Sequence, residues 1–493
     1  MKVLQIHERD NVAVAIEPLV QGERLTAGAV SVQAAQAVDK GHKIALTPIT
    51  RGENIIKYGF PIGHALEDIP AGAWVHTHNV KTNLGETLEY EYQPGAVAPS
   101  AACGLETFRG YRRPSGRVGV RNEIWIIPTV SCVNRPAEIA AKLAQERYSL
   151  ENIDGIFEFK HPYGCSQMGD DQLNTQRILA NLVNHPNAGG VLVLGLGCEN
   201  NNIGEFQKVL GSYDPARVKF LAAQDVEDEI EAAVEAIGQL IDHAKQYQRQ
   251  ECPASELAIG LKCGGSDGFS GITANPLVGY LSDRLVACGG SSILTEVPEM
   301  FGAEILLMNR AVSREVFDKT VNLVNGFKQY FQSYNQVIYE NPSPGNKKGG
   351  ITTLEDKSLG CTQKGGTSQV VDVLDYGQTL RKKGLNLLNG PGNDMVAATV
   401  LAAAGCQMVL FTTGRGTPLG TAVPTVKIAT NSDLFRRKPA WMDFDAGRLL
   451  REPREQVTDD FFAYCLAVAS GQKTKAETMG FREIAIFKNG VTL

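Results

Sequence analysis

One pattern in the middle of the chain constrains its fold more than any other. A short apolar run is followed by a polar loop with a cysteine and then by a helical stretch. The pattern occurs three times, and its cysteines, Cys132, Cys165 and Cys198, are spaced 33 residues apart. That distance is about the length of one βαβ step. Because nothing else in the segments repeats, the spacing favours successive strands of a parallel sheet over a solenoid. The carboxyl ends of such strands meet where open α/β sheets bind ligands.

The chain divides into four parts by composition. Residues 1–92 alternate short apolar runs with Gly, Pro and Asp turns, which is typical of a small β module. Residues 93–108 are predicted to be a linker, and 109–251 and 252–493 each repeat the strand, polar loop and helix theme. We therefore predict an α/β protein: a small N-terminal β-rich domain followed by two α/β domains with mainly parallel sheets.

Charge and hydropathy exclude several functional classes. The net charge is −6 and no Lys/Arg block is present, which argues against nucleic acid or an anionic membrane as a partner. No apolar run approaches the ~20 residues that span a bilayer. The first residues lack the apolar core of a signal peptide, so we expect a cytoplasmic protein that acts on a small molecule.

Motifs for nucleotide binding are absent. The sequence has no G-x-x-x-x-G-K-[ST], and no G-x-G-x-x-G lies between a strand and a helix. No G-x-S-x-G elbow of an α/β-hydrolase occurs either. We expect no nucleotide cofactor.

Histidine, cysteine and glutamate in the polar loops are candidate metal ligands. His76 and His78 are two residues apart, so on a strand they would face one side and could bind a divalent metal. The alternative is that they are exposed strand-end histidines without a ligand. His161 with Cys165, and Cys198 with Glu199, could form a mixed metal site or contact a hydroxylated substrate. Alternatively, these cysteines pack as small buried residues, as free cysteines often do.

Glu296 and Glu299 lie on either side of Pro298, which ends a regular strand there. A carboxylate in such a turn can be a metal ligand or a general base. The alternative is that each is a carboxylate at a helix N-terminus, stabilised by the helix dipole.

Three further loops are candidates for binding an anionic substrate. Residues 341–357 contain two prolines, three glycines and three lysines, which is typical of a surface loop or lid that captures an anion. Arg415 lies between glycines at a strand end and could bind a carboxylate through two hydrogen bonds. The backbone amides of residues 264–268 could cradle an anion. For residues 341–357 the alternative is a solvated charged loop, and for Arg415 it is a structural salt bridge.

Taken together, these loops resemble the altronate dehydratase family, which also contains galactarate dehydratases. The motifs that carry the resemblance are Gly41-His42-Lys43, His76-Thr77-His78-Asn79, Gly119-Val120-Arg121-Asn122, Tyr163-Gly164-Cys165-Ser166-Gln167, Gly195-Leu196-Gly197-Cys198-Glu199-Asn200, Cys263-Gly264-Gly265-Ser266-Asp267, Thr273-Ala274-Asn275-Pro276, 341–350 and Thr413-Gly414-Arg415-Gly416-Thr417-Pro418. His76-Thr77-His78-Asn79 and Cys361-Thr362-Gln363-Lys364 look like the altronate branch.

The resemblance implies a hydro-lyase that converts D-altronate to 2-dehydro-3-deoxy-D-gluconate in hexuronate breakdown. It also implies Fe(II) or Mn(II) as cofactor, no iron–sulfur cluster, and an SAF domain in residues 1–92. Dehydration of an aldonate needs a base at C2, an acid at the C3 hydroxyl and electrophilic help for the carboxylate.

We assign roles to the loop residues on that chemistry. The predicted catalytic residues are His161, Glu296 and Lys347. The predicted substrate-binding residues are Ser266, Asp267, Asn275, Thr413 and Arg415. The predicted metal ligands are His76, His78, Cys165, Cys198, Glu199 and Glu299.

Three other interpretations stay open. A dehydratase of another sugar acid, such as galactarate, would use the same scaffold. An iron–sulfur dehydratase would use the cysteines and have visible absorption. A sugar-acid-binding protein would bind altronate without consuming it. A homo-oligomer is compatible with each interpretation.

Overall fold

The structure is a computed structural model that describes residues 2–85, 88–95, 104 and 106–493. Much of the predicted linker 93–108, namely 96–103 and 105, lies outside the described residues. None of the described helices is long and apolar enough to cross a membrane.

The N-terminal region is built from short antiparallel strands. Its sheets have the orders β1-β2-β5-β8, β3-β4 and β6-β7-β9. Their alternating apolar residues, such as Ile44, Ile55 and Val75, form two small buried clusters. The strands are β1 Val3–Leu4, β2 Val12–Ala15, β3 Arg24–Ala27, β4 Val30–Gln33, β5 Lys43–Ala45, β6 Asn54–Lys57, β7 Phe60–Ala65, β8 Trp74–Val75 and β9 Val80–Lys81.

The middle region contains a parallel four-stranded sheet of order β13-β12-β14-β15. Its strands are apolar on both faces because helices cover both sides. A small antiparallel sheet of order β11-β10-β16 joins the start of the region to its end. The elements are β10 Thr107–Arg112, β11 Val118–Gly119, β12 Glu123–Pro128, α1 Asn134–Arg147, β13 Gly155–Glu158, α2 Gly169–Val183, β14 Ala188–Gly195, α3 Ile203–Leu210, β15 Val218–Ala222, α4 Glu229–Ala244 and β16 Gln250–Pro253.

The C-terminal region contains a parallel seven-stranded sheet of order β19-β20-β18-β17-β21-β22-β23. Its elements are β17 Ala258–Cys263, α5 Ala274–Ala287, β18 Ser291–Leu294, α6 Glu304–Met308, α7 Arg314–Ser333, α8 Pro344–Lys348, α9 Leu354–Cys361, β19 Val370–Leu374, β20 Gly384–Leu388, α10 Asp394–Ala403, β21 Met408–Thr413, β22 Thr425–Ala429, α11 Ser432–Arg437, β23 Phe444–Asp445, α12 Arg454–Ala469 and α13 Lys475–Thr478. The predicted fold class is confirmed.

The strand order places the loops that matter for function. Strand β18, the next strand along the chain after β17, lies on one side of β17 in the sheet, and β21 lies on the other side. Such a reversal of strand order opens a crevice at the carboxyl ends of the two strands. The loops that follow β17 and β21 are the glycine-rich segments 264–268 and 414–417.

Candidate active site

A cationic cleft lies at this reversal point. Its volume is about 320 Å³, and it combines loops of the C-terminal sheet with Lys40 of the N-terminal region. Its basic side chains, Lys40, Arg415 and Arg437, outnumber its two carboxylates, so an anion is favoured there. The lining residues are Lys40, Asp267, Phe269, Gly349, Gly414, Arg415, Asn431, Asp433 and Arg437.

Asp267 is held in place at the floor of the cleft. Its carboxylate accepts hydrogen bonds from Thr430 Oγ1 at 3.0 Å and Asn431 Nδ2 at 3.2 Å. Burial raises the pKa of Asp267 above its ordinary value. A Cβ at Gly414 would lie 2.2 Å from the Asp267 carboxyl carbon, so only glycine allows this approach. The neighbouring hydroxyl of Ser266 is buried without a hydrogen-bond partner in the described part of the chain.

Asn275 and Thr413 hold the strand ends together in this structure. Both are fully buried. Asn275 donates to Gly360 O at 2.9 Å and accepts from Thr412 Oγ1 at 2.6 Å. The Thr413 hydroxyl accepts from Gly416 N at 2.9 Å. These contacts use one acceptor position of the Thr413 hydroxyl and one donor and one acceptor position of the Asn275 amide.

Segment 341–350 borders the cleft through Gly349, and its Asn346 accepts a hydrogen bond from the buried Lys357 at 3.3 Å. Its helix α8 begins with a capping box formed by Ser343 and Asn346. Asn346 also donates to Ser266 O at 2.9 Å, which fixes α8 against the loop after β17. A Cβ at Gly345 would lie 3.8 Å from the Arg415 side chain, so α8 also borders Arg415. Lys347, on α8, is half-buried.

A second group of reactive side chains is linked to this segment through Lys357, which donates to Asn346 Oδ1 at 3.3 Å and lies 2.7 Å from Glu299. We call this group the buried centre. Its members are Cys263, Glu296, Glu299, Cys361 and Lys364, all buried. The Cys263 and Cys361 thiols donate to Glu299 Oε2 at 3.1 and 3.2 Å, and the two sulfurs are 3.4 Å apart. The Lys364 ammonium donates to Cys263 Sγ at 2.8 Å and to Glu296 Oε2 at 3.1 Å.

Lysines control the ionisation of the two glutamates. Burial opposes ionisation of Glu299, but Lys357, 2.7 Å away, and Lys364 outweigh it and hold the pKa of that carboxyl at about 2. For Glu296 burial dominates, so its pKa lies above the ordinary value although Lys262 and Lys364 oppose the shift. Burial lowers the pKa of Lys364, but its anionic neighbours reverse this and raise it well above the ordinary value. The centre therefore combines an anionic carboxylate, a more basic carboxylate and a fixed ammonium.

Glu296 is also conformationally strained. Its backbone lies in the left-handed region, with φ 68° and ψ 55°, which non-glycine residues rarely adopt. Its Oε1 faces the Lys262 ammonium at 3.3 Å without the geometry of a hydrogen bond. Strained, partly unsatisfied carboxylates concentrate at functional sites. Glu296 thus has the properties of a general base.

The donor set of the buried centre is suited to a soft divalent ion. Within the described ranges, the group formed by Cys263, Glu299 and Cys361 alone brings three candidate ligand atoms within 4.8 Å of one another. Two sulfurs and one carboxylate fit Fe(II) better than Mn(II), which prefers oxygen ligands. The hydrogen bond to Cys263 and burial raise the pKa of Cys361 well above its ordinary value, so binding of a metal must displace that proton.

His76 and His78 lie elsewhere, in an aromatic group at the end of β8. The Trp74 ring stacks on His76 with centroids 5.3 Å apart and contacts His78 at 4.8 Å. His76 Nδ1 lies 3.4 Å from Thr352 Oγ1, so this group faces the segment that leads into α9. Burial, Lys43 and His42 lower the pKa of His76 to about 3, which leaves a neutral imidazole able to bind a metal.

The remaining predicted ligands lie in the middle region. Cys165 and Cys198 are exposed in the loops after β13 and β14. Glu199 is buried and accepts from Thr129 Oγ1 and Gly197 N, each at 2.6 Å. The six predicted ligands thus fall into three places and form no single site in this structure.

His161 is held by the backbone of the middle region. Its Nε2 donates to Pro128 O at 2.7 Å, and its Nδ1 accepts from Tyr163 N at 3.2 Å. Burial lowers its pKa to about 4. Both ring nitrogens are occupied, so His161 has no free atom to take a proton from a substrate.

Sequence reasoning assigned no role to several members of the buried centre. Cys361 and Lys364 received none, and Cys263 was only one of four strand-end cysteines. A usable signal was present, because Cys361-Thr362-Gln363-Lys364 is one of the family-like motifs. Its distance of almost 100 residues from Cys263 hid the contact.

Comparison with known proteins gives the family. The altronate/galactarate dehydratase SAF domain matches residues 1–83, the second domain of D-galactarate dehydratase/altronate hydrolase matches 110–245, and the D-galactarate/altronate dehydratase C-terminal domain matches 254–492. The chain is 55% identical to an altronate dehydratase of Bacillus subtilis (strain 168), covering 99% of both chains. It is 54% identical to an altronate dehydratase of Escherichia coli (strain K12), covering both fully, and 36% identical to a galactarate dehydratase (L-threo-forming) of that organism, covering 98% of this chain and 96% of the relative.

Proposed function

Since the chain belongs to the D-galactarate/altronate dehydratase family, we propose that it is a hydro-lyase that removes water from D-altronate to give 2-dehydro-3-deoxy-D-gluconate. The observation that carries this proposal is the full-length similarity, above half identity, to two relatives named altronate dehydratase. The galactarate dehydratase relative is less similar, at 36% identity.

The reaction sets the demands on the site. A base removes the proton at C2, next to the carboxylate, and the C3 hydroxyl leaves as water after it takes up a proton from an acid. The resulting enol then tautomerises to the 2-keto acid. Because the carboxylate is already negative, fixed positive charge must stabilise the additional charge that develops at C2.

We assign the proton transfer at C2 to Glu296. Its raised pKa and strained backbone suit a base that works in a buried site. Lys364, 3.1 Å from Glu296, places an ammonium where negative charge develops. Arg415 and Lys347 hold the substrate carboxylate from the cleft side.

We assign a divalent metal to Cys263, Glu299 and Cys361, whose donor atoms lie 3.1–3.4 Å apart. When bound there, Fe(II) supplies a Lewis acid for the carboxylate and C2 hydroxyl. His76 and His78 are the alternative ligands, and His161 receives no chemical role.

Access to Glu296 requires local opening. Its side chain is fully buried, and Glu296 is not among the residues that line the cleft, whereas Gly349 of segment 341–350 is. In this proposal the segment is a lid, held by the hydrogen bond from Asn346 to Ser266 O.

The test is turnover of D-altronate by anaerobically purified protein, with added Fe(II) or Mn(II) and with EDTA. Appearance of a 2-keto acid is the readout, and galactarate is the competing substrate. We expect metal-dependent product from altronate, a loss of at least about 100-fold in kcat for Glu296→Gln, and no change for the exposed Glu67→Gln. Turnover of galactarate alone would replace the substrate assignment, and altronate binding without turnover would favour a binding protein.

The proposal also covers location and assembly. We propose that the enzyme is cytoplasmic and that its partner is a free aldonate. We also propose that it forms a homo-oligomer. Light scattering of the purified chain tests the assembly.

A further inference from the structure

Two cysteines of the buried centre contact each other through their sulfur atoms. Cys263 ends strand β17 and Cys361 ends helix α9, and their Sγ atoms are 3.4 Å apart although 98 residues separate them along the chain. Both are free thiols. We propose that they form a redox modification site, at which a small hydroperoxide oxidises the metal-free centre to a reversible disulfide between Cys263 and Cys361.

The two sulfurs converge on one point of the structure. Glu299 Oε2 accepts a hydrogen bond from the Cys263 thiol at 3.1 Å and from the Cys361 thiol at 3.2 Å. A disulfide has an S–S length of about 2.05 Å, so the sulfurs have to approach each other by about 1.4 Å. The pair is therefore held close to bonding distance before any oxidation takes place.

The surroundings of the pair are those of reactive cysteines. The Lys364 ammonium donates a hydrogen bond to Cys263 Sγ at 2.8 Å. A cationic neighbour of this kind is typical of cysteines that react with oxidants. Redox-sensing cysteines also have a second thiol beside them that resolves the oxidised form, and Cys361 occupies that position.

The oxidation balances in two steps. The sulfur of Cys263 attacks one oxygen of hydrogen peroxide, the O–O bond breaks, and a sulfenic acid and one water form. The sulfur of Cys361 then attacks the sulfur of Cys263. The S–S bond forms, the S–O bond breaks, and the hydroxyl group leaves with the thiol proton as a second water. Two thiols thus lose two electrons and one peroxide gains them, and a dithiol reductant reverses the change.

Burial restricts the oxidant to a small molecule. Cys263 is 1% exposed and Cys361 is 3% exposed. Hydrogen peroxide is close to water in size, whereas oxidised glutathione has to bring a peptide to each side of its disulfide. We therefore expect peroxide to form the bond much faster than oxidised glutathione does.

Disulfide formation and metal binding exclude each other at this centre. This step rests on the proposed function, which assigns a divalent metal to Cys263, Glu299 and Cys361. Thiolates are the form of cysteine that binds metals, so the disulfide removes two of these three ligands. Conversely, a bound metal occupies both sulfurs and protects them. The disulfide also keeps the metal-free centre from irreversible oxidation to sulfinic acid.

The experiment uses the full chain, stripped of metal with EDTA, reduced with dithiothreitol and desalted. It is treated with hydrogen peroxide or with oxidised glutathione, with and without prior addition of Cd(II). Peptide mass mapping without reductant locates any disulfide, and thiolate absorption measures Cd(II) binding before and after oxidation. The variants are Cys263→Ser and Cys361→Ser, with Cys465→Ser, a buried cysteine of α12, as the matched control. Circular dichroism verifies folding of each variant.

We expect peroxide to join the peptides of Cys263 and Cys361 in the intact chain and in Cys465→Ser, and dithiothreitol to separate them. Oxidation should lower the affinity for Cd(II) by at least about tenfold, as each of the two cysteine variants should. Prior addition of Cd(II) should slow formation of the disulfide by at least about tenfold.

Several results would overturn the proposal. They are two thiols that stay free after peroxide treatment, sulfinic acid at Cys263 without a disulfide, and Cd(II) binding that oxidation leaves unchanged. The first two are measured in the intact chain, so they do not depend on the folding of a variant. Because all readouts are obtained without substrate, failure of this proposal is separate from any failure of altronate turnover.

Discussion

The sharpest test of how the N-terminal region is held concerns three buried charges. Lys43 and Lys57 lie on strands β5 and β6, and each ammonium lies 2.8 Å from a separate oxygen of Asp356 on α9. All three side chains are at most 2% exposed. Burial opposes ionisation of Asp356, but the two lysines outweigh it and hold its pKa below the ordinary value. Asp356→Asn keeps the size of the side chain and removes its charge.

The expected loss of stability is large. Breaking a buried ion pair by removing one partner costs about 3–5 kcal/mol. Burial already lowers the pKa of Lys43 to about 8, against an ordinary 10.5, with Asp356 in place. Without the carboxylate, keeping one buried lysine neutral at pH 7 costs about 1.4 kcal/mol per pH unit below its ordinary pKa, or about 5 kcal/mol in all. Both estimates give a loss of several kcal/mol.

The same reasoning predicts a pH dependence of definite sign. In Asp356→Asn the folded pKa of each unpaired lysine is lowered, so the unfolded chain binds more protons and stability rises with pH. Between pH 6 and 7, below the pKa of about 8 of Lys43 in the intact protein, the deficit should shrink by about 1.4 kcal/mol for each lysine that is deprotonated in the folded variant. The intact protein should change little over this interval.

Hydrogen exchange is the appropriate assay, because a chain of several regions need not unfold in two states. Exchange of amides in 43–45, 54–57 and 354–361 reports the local opening free energy. Glu67→Gln removes an exposed carboxylate from the same region and serves as the control. Unchanged protection in Asp356→Asn, or a deficit that does not vary with pH, would refute the reasoning.

Three further predictions concern the cleft and the interface with the middle region. Arg415→Ala should raise KM for the aldonate by about 10- to 100-fold, from loss of a charge-assisted hydrogen bond, and unchanged steady-state kinetics would remove Arg415 from the site. Gly414→Ala should lower both activity and Tm, because the added Cβ would lie 2.2 Å from the Asp267 carboxyl carbon. A variant with full activity would show that the loop can move to accommodate the methyl group. Glu477→Gln should lose about 3–5 kcal/mol of unfolding free energy, because the buried Arg121, 2.7 Å away, loses its carboxylate partner. Although burial opposes it, the pKa of Glu477 is lowered, so its contribution to stability is present above pH 4.5 and is lost at lower pH; acid titration of the unfolding free energy checks this.

Local patterns were enough to predict the fold class and the position of glycine-rich loops after parallel strands. Apolar runs that end in polar, glycine-rich loops are strong signals of parallel strands, and the loops after β17 and β21 were both identified from them. Because parallel strands present their carboxyl ends at one edge of the sheet, such loops can be placed at that edge without knowledge of the strand order.

Strand order and packing were needed to predict which residues lie close together. Cys263 and Cys361 are 3.4 Å apart in space, and no periodicity links them in the sequence. The occupied nitrogens of His161 and the positive φ of Glu296 depend on how backbone segments meet, which residue type alone does not determine. Sequence therefore located candidate groups, while the fold decided which of them share a site.

Helix α9 connects the N-terminal region to the buried centre. It has eight residues, so it is about 12 Å long. Near its start Asp356 binds the lysines of the N-terminal region, the next residue, Lys357, binds Glu299 Oε1 at 2.7 Å, and its last residue, Cys361, donates to Glu299 Oε2. Because a short helix moves as a rigid body, the docking of the N-terminal region sets the position of two partners of Glu299. The N-terminal region therefore helps to position the buried centre, and if the proposed function is correct, loosening this region should change activity without altering any residue of the buried centre.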